Sequence, residues 1–303
     1  MKIKNILGIP AVLFAVFVWG TSYVSTQIVL RDLPPVSIAF FRQFIALVPL
    51  LILMAVKKEN FRIKKSEIAA FILTSLFGIV LYFCLENKGL TMISASSASM
   101  LAALVPILVL VAESIAGRKR IKTSSLLSIV ISMAGVYLIL FDGKSPDLGS
   151  DSFLGSLFEF GTVLSWVVYT FLSQRLGRSY SSLKMTTIQT IFSLPLFIPF
   201  VLNEVDKWKI PSPAGLLNLV FLGVFCSALA YVFYLFGLQF MGTVVSSALL
   251  NLIPLVTVAA DSFILSVKLS SHQIAGAALI VGSLTYLSLR KPKQQVPSAA
   301  CAK

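Results

Sequence analysis

The sequence predicts an all-α membrane protein with ten transmembrane helices, arranged as two inverted repeats of five helices each. Of the 303 residues, 57% are hydrophobic and only 12% are charged, and the mean hydropathy is +0.92. A water-soluble fold cannot bury so much apolar surface, so lipid is the expected solvent. In addition, the chain contains about ten long apolar stretches, and its second half repeats its first.

The ten apolar stretches are candidate spans, because about 20 apolar residues cross a bilayer as a helix. The first stretch is too long for the core of a signal peptide and is interpreted as a span. A polar divider from 142 to 152 separates a repeat at 1–141 from one at 153–290, and the tail 291–303 is predicted to be disordered. The spans are 6–29, 36–56, 67–87, 95–116, 124–141, 153–174, 185–202, 213–236, 243–266 and 272–289.

Lysine and arginine positions predict the orientation. If the N-terminus is cytoplasmic, 18 of the 25 basic residues lie in inner segments and six in outer ones, while Arg42 lies within a span. This bias predicts cytoplasmic N- and C-termini in a multi-pass plasma-membrane protein. The net charge of +13 therefore reflects topology rather than nucleic-acid binding. Several acidic residues, including Glu86, are assigned to the outer segments.

The internal repeat is visible as identities at a nearly constant spacing. Trp19 matches Trp166, 147 residues later, and Glu113 falls on Asp261, 148 residues later. Five crossings return the chain to the opposite side, so the second unit should be inverted, as in many secondary transporters. Further matches at a spacing of 148 are Gly89-Leu90 with Gly237-Leu238, and Ser99, Leu101, Leu104, Pro106 and Ala112 with Ser247, Leu249, Leu252, Pro254 and Ala260.

These motifs resemble the ten-helix, EamA-type members of the drug/metabolite transporter superfamily. The resemblance implies an alternating-access carrier of small organic metabolites, amino acids included, often directed outward, with helices 1, 3, 4, 6, 8 and 9 around a central cavity. The chain departs from the family at the ends of the fourth and ninth helices, where Arg118-Lys119 and Ser266-Val267 replace a frequent Gly-Glu pair. The motifs are Trp19-Gly20-Thr21-Ser22, Phe40-Phe41-Arg42-Gln43-Phe44, and the runs Ser94–Ser99 and Thr243–Ser247 that lead to Pro106 and Pro254.

Ionisable residues inside the spans are the first candidates for a binding site, because a charge at mid-bilayer costs roughly 2.5–3.5 kcal/mol on insertion scales. Arg42 can bind an anionic group such as the carboxylate of an amino acid. Glu159 can bind a substrate ammonium group or carry a proton. The alternative is that Arg42 and Glu159 pair only with each other.

Glu113 and Asp261 are equivalent residues that lean toward opposite mouths. They are predicted to serve gating or proton coupling. The alternative is that Glu113 pairs with the basic cluster Arg118–Lys122, and Asp261 with Lys268.

Residues near mid-depth complete the predicted binding site. Pro106 and Pro254 each remove a backbone hydrogen bond, and such breaks tend to line cavities. Asn251 lies one turn before Pro254 and needs a hydrogen-bonding partner, which can be a substrate or a neighbouring helix. The aromatic residues predicted to bind substrate are Trp19, Tyr82, Trp166 and Tyr231, for which helix packing is the alternative.

No motif for catalysis, nucleotide binding, a metal or another cofactor is found, since the three cysteines are scattered and there is one histidine. The predicted function is secondary active transport, with export of amino acids or related compounds first. Drug or organic-cation efflux is the alternative, and an intramembrane enzyme lacks the nucleophile and base it would need. The expected partners are a small-molecule substrate, the lipid bilayer and protons, and the protein is a monomer or a homodimer.

Overall fold

The computed structural model describes residues 2–116, 123–141 and 149–289, which form ten helices and no strand. Eight of these helices are long and apolar enough to cross a membrane. The other two, α5 and α10, contain 19 residues each, so the architecture is compatible with ten crossings. The helices are α1 Lys2–Val29, α2 Pro35–Val56, α3 Lys65–Leu90, α4 Ala95–Ala116, α5 Thr123–Phe141, α6 Asp151–Leu176, α7 Ser182–Lys207, α8 Pro213–Thr243, α9 Val245–Leu265 and α10 Ser271–Leu289.

The packing of the helices is the same for the two halves. Helices α2, α4 and α5 each pack against their own counterparts, α7, α9 and α10. Helix α1 packs against α8 and α9, and its counterpart α6 packs in the same way against α3 and α4. Two related units that face each other across one bundle produce this exchange of neighbours.

Helices α4 and α9 run antiparallel, as the contacts at their ends show. Near the end of α9, Asp261 accepts hydrogen bonds from the backbone and the hydroxyl of Ser96, at the start of α4. Near the end of α4, Glu113 accepts a hydrogen bond from the Thr243 hydroxyl, immediately before α9. Since α4 and α9 are equivalent helices, the second repeat is inverted relative to the first.

Helices α2 and α7 are joined in the same reciprocal way. Glu204, near the end of α7, accepts hydrogen bonds from the backbone and the hydroxyl of Ser37 in the first turn of α2, both at 2.8 Å. Glu59, just after α2, accepts one from the Ser181 hydroxyl, which caps α7, at 2.6 Å. The free N–H groups of a helix start favour a carboxylate there. The contacts Glu59–Ser181, Glu113–Thr243, Glu204–Ser37 and Asp261–Ser96 are called the reciprocal carboxylate contacts below.

Four of the helices are interrupted in mid-membrane. Helices α3 and α8 each contain a π-helical segment, Leu76–Leu81 and Leu222–Leu229. Helices α4 and α9 are interrupted just before their prolines, at residues 103–104 and at the 3₁₀ turn Leu250–Leu252. Each interruption leaves backbone groups without their usual helical partners, as expected for segments that border a site.

The predicted spans match the helices in order, with ends that differ by a few residues. Helix α3 continues to Leu90 and includes Glu86 as a buried residue, so the assignment of Glu86 to an outer segment was wrong. The predicted tail 291–303 and residues 142–148 of the predicted divider lie outside the described residues. Large apolar side chains such as Phe17, Val48 and Phe263 are exposed on the outside of the bundle, where lipid would cover them.

Candidate functional site

A small cavity lies between the two halves, lined by residues from both repeats. Helices α1, α3, α4, α6, α8 and α9 all contribute to its wall, and α2 adds Arg42. The cavity brings together six of the seven residues predicted to bind substrate: Trp19, Arg42, Tyr82, Glu159, Trp166 and Tyr231.

Arg42 is fully buried and held by two contacts. Its Nε donates a hydrogen bond to Ser227 Oγ at 2.8 Å, and its guanidinium carbon lies 4.0 Å from the centre of the Phe83 ring. A cation over a ring face is stabilised by about 2 kcal/mol or more when the pair is buried. The two terminal guanidinium nitrogens have no hydrogen-bond partner among the described residues. The side chain is thus fixed, while the two nitrogens that bind carboxylates remain free.

Glu159 is also fully buried in α6, and neither carboxylate oxygen has a hydrogen bond of normal geometry among the described residues. Arg42 and Glu159 therefore do not form the pair that the sequence allowed as an alternative. Both nevertheless border the same cavity, and Tyr23 of α1 is a close polar neighbour of Glu159. A buried carboxylate with no partner is costly, so this site is incomplete without a ligand or a proton.

Glu86 is a third ionisable residue of the cavity, which the sequence analysis missed. It is 2% exposed and lies close to Arg42 and to the Tyr82 hydroxyl. The sequence feature that could have identified Glu86 is its position four residues after Tyr82, because residues at this spacing share one face of a helix. If all three groups are ionised, the two carboxylates exceed the single arginine by one negative charge.

Three aromatic rings that contact one another form part of the cavity wall. Trp19 and Trp166 meet edge to face at 5.3 Å, and Tyr231 lies 5.4 Å from Trp19 and 5.8 Å from Trp166. Such offset contacts each add about 0.5–1.5 kcal/mol beyond area burial. We call these three residues the aromatic floor. With the predicted orientation, the cavity lies on the outer side of the floor.

The π-helical segments of α3 and α8 position the rings of the floor. The carbonyl of Gly78 in α3 accepts a hydrogen bond from the Tyr231 hydroxyl at 2.8 Å, and the carbonyl of Cys226 in α8 accepts one from Trp19 Nε1 at 2.9 Å. Ser227, the partner of Arg42, belongs to the same segment of α8. A π-helical segment leaves such carbonyls available to side chains. Trp166 Nε1, the equivalent of the Trp19 donor, makes no such bond within the part of the chain that the structure describes.

The remaining predicted residues do not line the cavity. Asn251 lies in the 3₁₀ turn of α9, and the neighbouring Leu250 and Ile253 border the cavity instead. Its Oδ1 atom has no partner among the described residues. Glu113 and Asp261 lie in the reciprocal carboxylate contacts rather than in the cavity wall.

Of the alternative partners predicted for these two acids, Lys268 lies among the described residues and the basic cluster does not. Lys268 is exposed, and the carboxylate of Asp261 binds Ser96 instead of this lysine. The Ser96 backbone N–H to Asp261 Oδ2 distance is 3.0 Å. The basic cluster 118–122 lies outside the described residues, so its relation to Glu113 stays a prediction.

Relatives of this chain are named as transporters. The chain is 28% identical over 278 residues to an uncharacterized transporter of Archaeoglobus fulgidus, which covers 90% of this chain and 95% of the relative. It is 26% identical to YvbV, an uncharacterized transporter of Bacillus subtilis, over 93% of this chain and 92% of the relative. A protein of known crystal structure shares the fold, with a TM-score of 0.68 at 17% identity over 94% of this chain and 98% of that one.

The sequence model of the EamA-like transporter family matches the chain twice, over residues 6–141 and 153–289. These two matches include the residues that form the cavity and the reciprocal carboxylate contacts. The membrane-spanning helices, the repeat and these relatives agree on a membrane transporter. The chain therefore belongs to the EamA-like transporter family.

Proposed function

We propose that this transporter moves small zwitterionic metabolites, amino acids first among them, across the plasma membrane by alternating access. One observation carries the proposal: Arg42 and Glu159 are oppositely charged and border one cavity that contains aromatic rings. The terminal atoms of both side chains have no hydrogen-bond partner among the described residues. The terminal nitrogens of Arg42 suit a carboxylate, and the oxygens of Glu159 suit an ammonium group. The rings of the aromatic floor suit an apolar or aromatic side chain.

The direction of transport is proposed to be outward, on the basis of the resemblance to the family. The energy would come from the substrate gradient or from protons. Glu159 is the proposed proton carrier, because with Glu86 it leaves the cavity one negative charge in excess of Arg42. A proton on one carboxylate would balance the charges when the cargo is a zwitterion.

Three ligands with the same ring test the proposal: phenylalanine, 2-phenylethylamine and 3-phenylpropionate. In proteoliposomes, we expect counterflow of phenylalanine, because only a carrier shows acceleration by substrate on the opposite side. Quenching of Trp19 and Trp166 fluorescence should report binding, with phenylalanine bound most tightly and 3-phenylpropionate most weakly. If all three ligands cross the membrane at equal rates, and substrate on the opposite side does not accelerate their movement, the proposal is contradicted.

Organic-cation efflux is the second candidate, and the excess of carboxylates in the cavity favours it. The variant Arg42→Gln separates the two. For a zwitterionic cargo, losing a charge-assisted contact should weaken phenylalanine binding about 10- to 150-fold and leave 2-phenylethylamine within about twofold. If 2-phenylethylamine binds the wild type at least as tightly as phenylalanine, and the variant changes neither affinity, the cargo is an organic cation.

Glu113 and Asp261 are proposed as gates at the inner and outer mouths. The variant Asp261→Asn should weaken the outer closure, since a neutral amide is a poorer partner for a helix start than a carboxylate. The measurement is modification of a cysteine at Ser22, which borders the cavity, by an impermeant thiol reagent from outside, in a chain without its native cysteines. We expect the rate to rise about tenfold.

Lys268→Gln is the matched control, because the exposed Lys268 is not the partner of Asp261. Its rate of modification should equal that of the unchanged background. A rise with Lys268→Gln and none with Asp261→Asn would mean that the outer mouth is closed by that lysine instead.

A further inference from the structure

A second group of buried polar side chains lies on the far side of the aromatic floor. None of its members borders the cavity, and each is at most 1% exposed. They come from four helices that meet below Trp166. They are Tyr169, Thr170 and Ser173 of α6, Gln189 of α7, Tyr234 of α8 and Ser247 of α9.

These residues form one connected set. The Tyr169 hydroxyl donates a hydrogen bond to Gln189 Oε1 at 3.3 Å, and the hydroxyls of Thr170 and Tyr234 lie 3.4 Å apart. The rings of Tyr169 and Tyr234 pack directly on Trp166, at 4.9 and 5.2 Å between centres. The set therefore continues inward from the floor of the cavity.

Several polar atoms of this set are incompletely bonded. Gln189 Nε2 has no hydrogen-bond partner among the described residues, although the side chain is fully buried. The hydroxyls of Ser173 and Ser247 lie beside Tyr169 and Tyr234 without completing a bond of normal geometry. A static packed core satisfies nearly all such groups. The free-energy cost of burying these unbonded atoms is explained if they gain hydrogen-bond partners in another conformation of the protein.

The inverted repeat indicates which conformation that is. At a spacing of 147, Arg42 corresponds to Gln189, and Thr26, a buried residue one turn from the cavity residue Ser22, corresponds to Ser173. Helix α7 likewise begins 147 residues after α2. At a spacing of 148, Glu86 corresponds to Tyr234. The inner set is thus the counterpart of the outer cavity, with amide and hydroxyl groups in place of its charges. The counterpart of Glu159 is Val12, a buried apolar residue.

We propose that this inner set lines the inward-facing part of the transport path and is a second, uncharged binding site for the polar groups of the cargo. The inference rests on the proposed function, because it requires that the two sides open in turn. In the structure the site is closed, and the Glu113–Thr243 contact holds the adjoining ends of α4 and α9 together. When that end opens, Gln189 and the hydroxyls bond to the carboxylate and ammonium groups in place of Arg42 and Glu159.

Cysteine accessibility tests the location of the site. In a chain without native cysteines, Ser173→Cys and its counterpart Thr26→Cys are exposed to an impermeant maleimide from each side of the membrane. We expect Ser173→Cys to react from the cytoplasmic side only and Thr26→Cys from outside only. Adding Glu113→Gln, which loosens the inner contact, should raise the rate at position 173 about tenfold and should not raise that at position 26.

Binding is tested with Gln189→Leu, which keeps the approximate volume and removes the amide. Counterflow of [³H]phenylalanine should slow about fivefold, while its affinity for the outer cavity, by quenching of Trp19 and Trp166 in the purified protein, changes less than twofold. Labelling of position 173 together with this slower exchange supports the second site. Unchanged exchange by Gln189→Leu overturns the binding role of Gln189.

The experiments distinguish failure of this inference from failure of the proposed function. If Ser173→Cys stays unmodified from the cytoplasmic side, with and without Glu113→Gln, while this variant exchanges phenylalanine, the inner site is wrong and the transport proposal stands. If the wild type exchanges none of the three ring-matched ligands, the proposed function is wrong, and the inner site falls with it.

Discussion

Replacing Glu159 with glutamine is expected to weaken binding of phenylalanine and of 2-phenylethylamine about 10- to 150-fold, because a hydrogen bond to a charged group contributes about 1.5–3 kcal/mol. Glutamine keeps the shape of the side chain and removes only its charge. Neither oxygen of Glu159 makes a hydrogen bond of normal geometry among the described residues, and glutamine can keep the neighbouring Tyr23 as a polar contact. Tryptophan quenching on purified protein gives the affinities, since Trp19 and Trp166 border the cavity.

The thermal unfolding temperature of Glu159→Gln should stay the same or rise, because an unpaired buried charge is removed. Asp206→Asn, at an exposed residue near the end of α7, is the matched control and should change neither affinity nor stability. A wild-type affinity for both ligands in Glu159→Gln would exclude Glu159 from the binding site. Unfolding of the variant would instead give this carboxylate a structural role.

Replacing Gly78 with alanine is expected to lower the free energy of unfolding by about 1–3 kcal/mol, through overpacking at the π-helical segment of α3. An added methyl group would lie 2.0 Å from Cδ2 of the Tyr169 ring, far inside contact distance. Tyr169 is fully buried, so its ring can yield only by displacing its neighbours. The clash should also displace the Gly78 carbonyl from the Tyr231 hydroxyl, so ligand affinity should fall as well.

Gly282→Ala is the matched control, because an added methyl group at that position meets nothing within 4 Å. It lies within α10, where alanine is favoured over glycine in a helix, so stability should stay the same or increase. Thermal unfolding in detergent compares the two variants directly. Equal stability of Gly78→Ala and Gly282→Ala would mean that the π-helical segment yields easily and does not fix the floor.

The helices and the repeat were predictable from the sequence, because lipid imposes a strong and local requirement. A span needs about 20 apolar residues whatever its neighbours are. The repeat is visible in the sequence because equivalent positions, such as Trp19 and Trp166, carry the same residue. The choice of Arg42, Glu159 and the aromatic residues followed from the cost of polar groups in the membrane. The structure places those residues together, while their roles remain predictions.

The partners of the charged residues were not predictable, because they depend on contacts between distant segments. Asp261 binds Ser96, which is 165 residues away, although Lys268 is much nearer in sequence. Glu86 was missed because it lies near the predicted end of its span and was therefore assigned to the outer surface. Helix α3 continues to Leu90, and Glu86 is buried. The π-helical segments of α3 and α8 were also missed, since hydropathy is the same for π- and α-helical turns.

The reciprocal carboxylate contacts have a consequence for how the protein is made. The start of α2 is completed by Glu204 and the start of α4 by Asp261, both from the second half of the chain. During translation, the first half therefore enters the lipid with two helix starts that lack their final partners. It must remain in this unfinished state until the ribosome has delivered the second half, so the nascent chain matures as one unit rather than half by half.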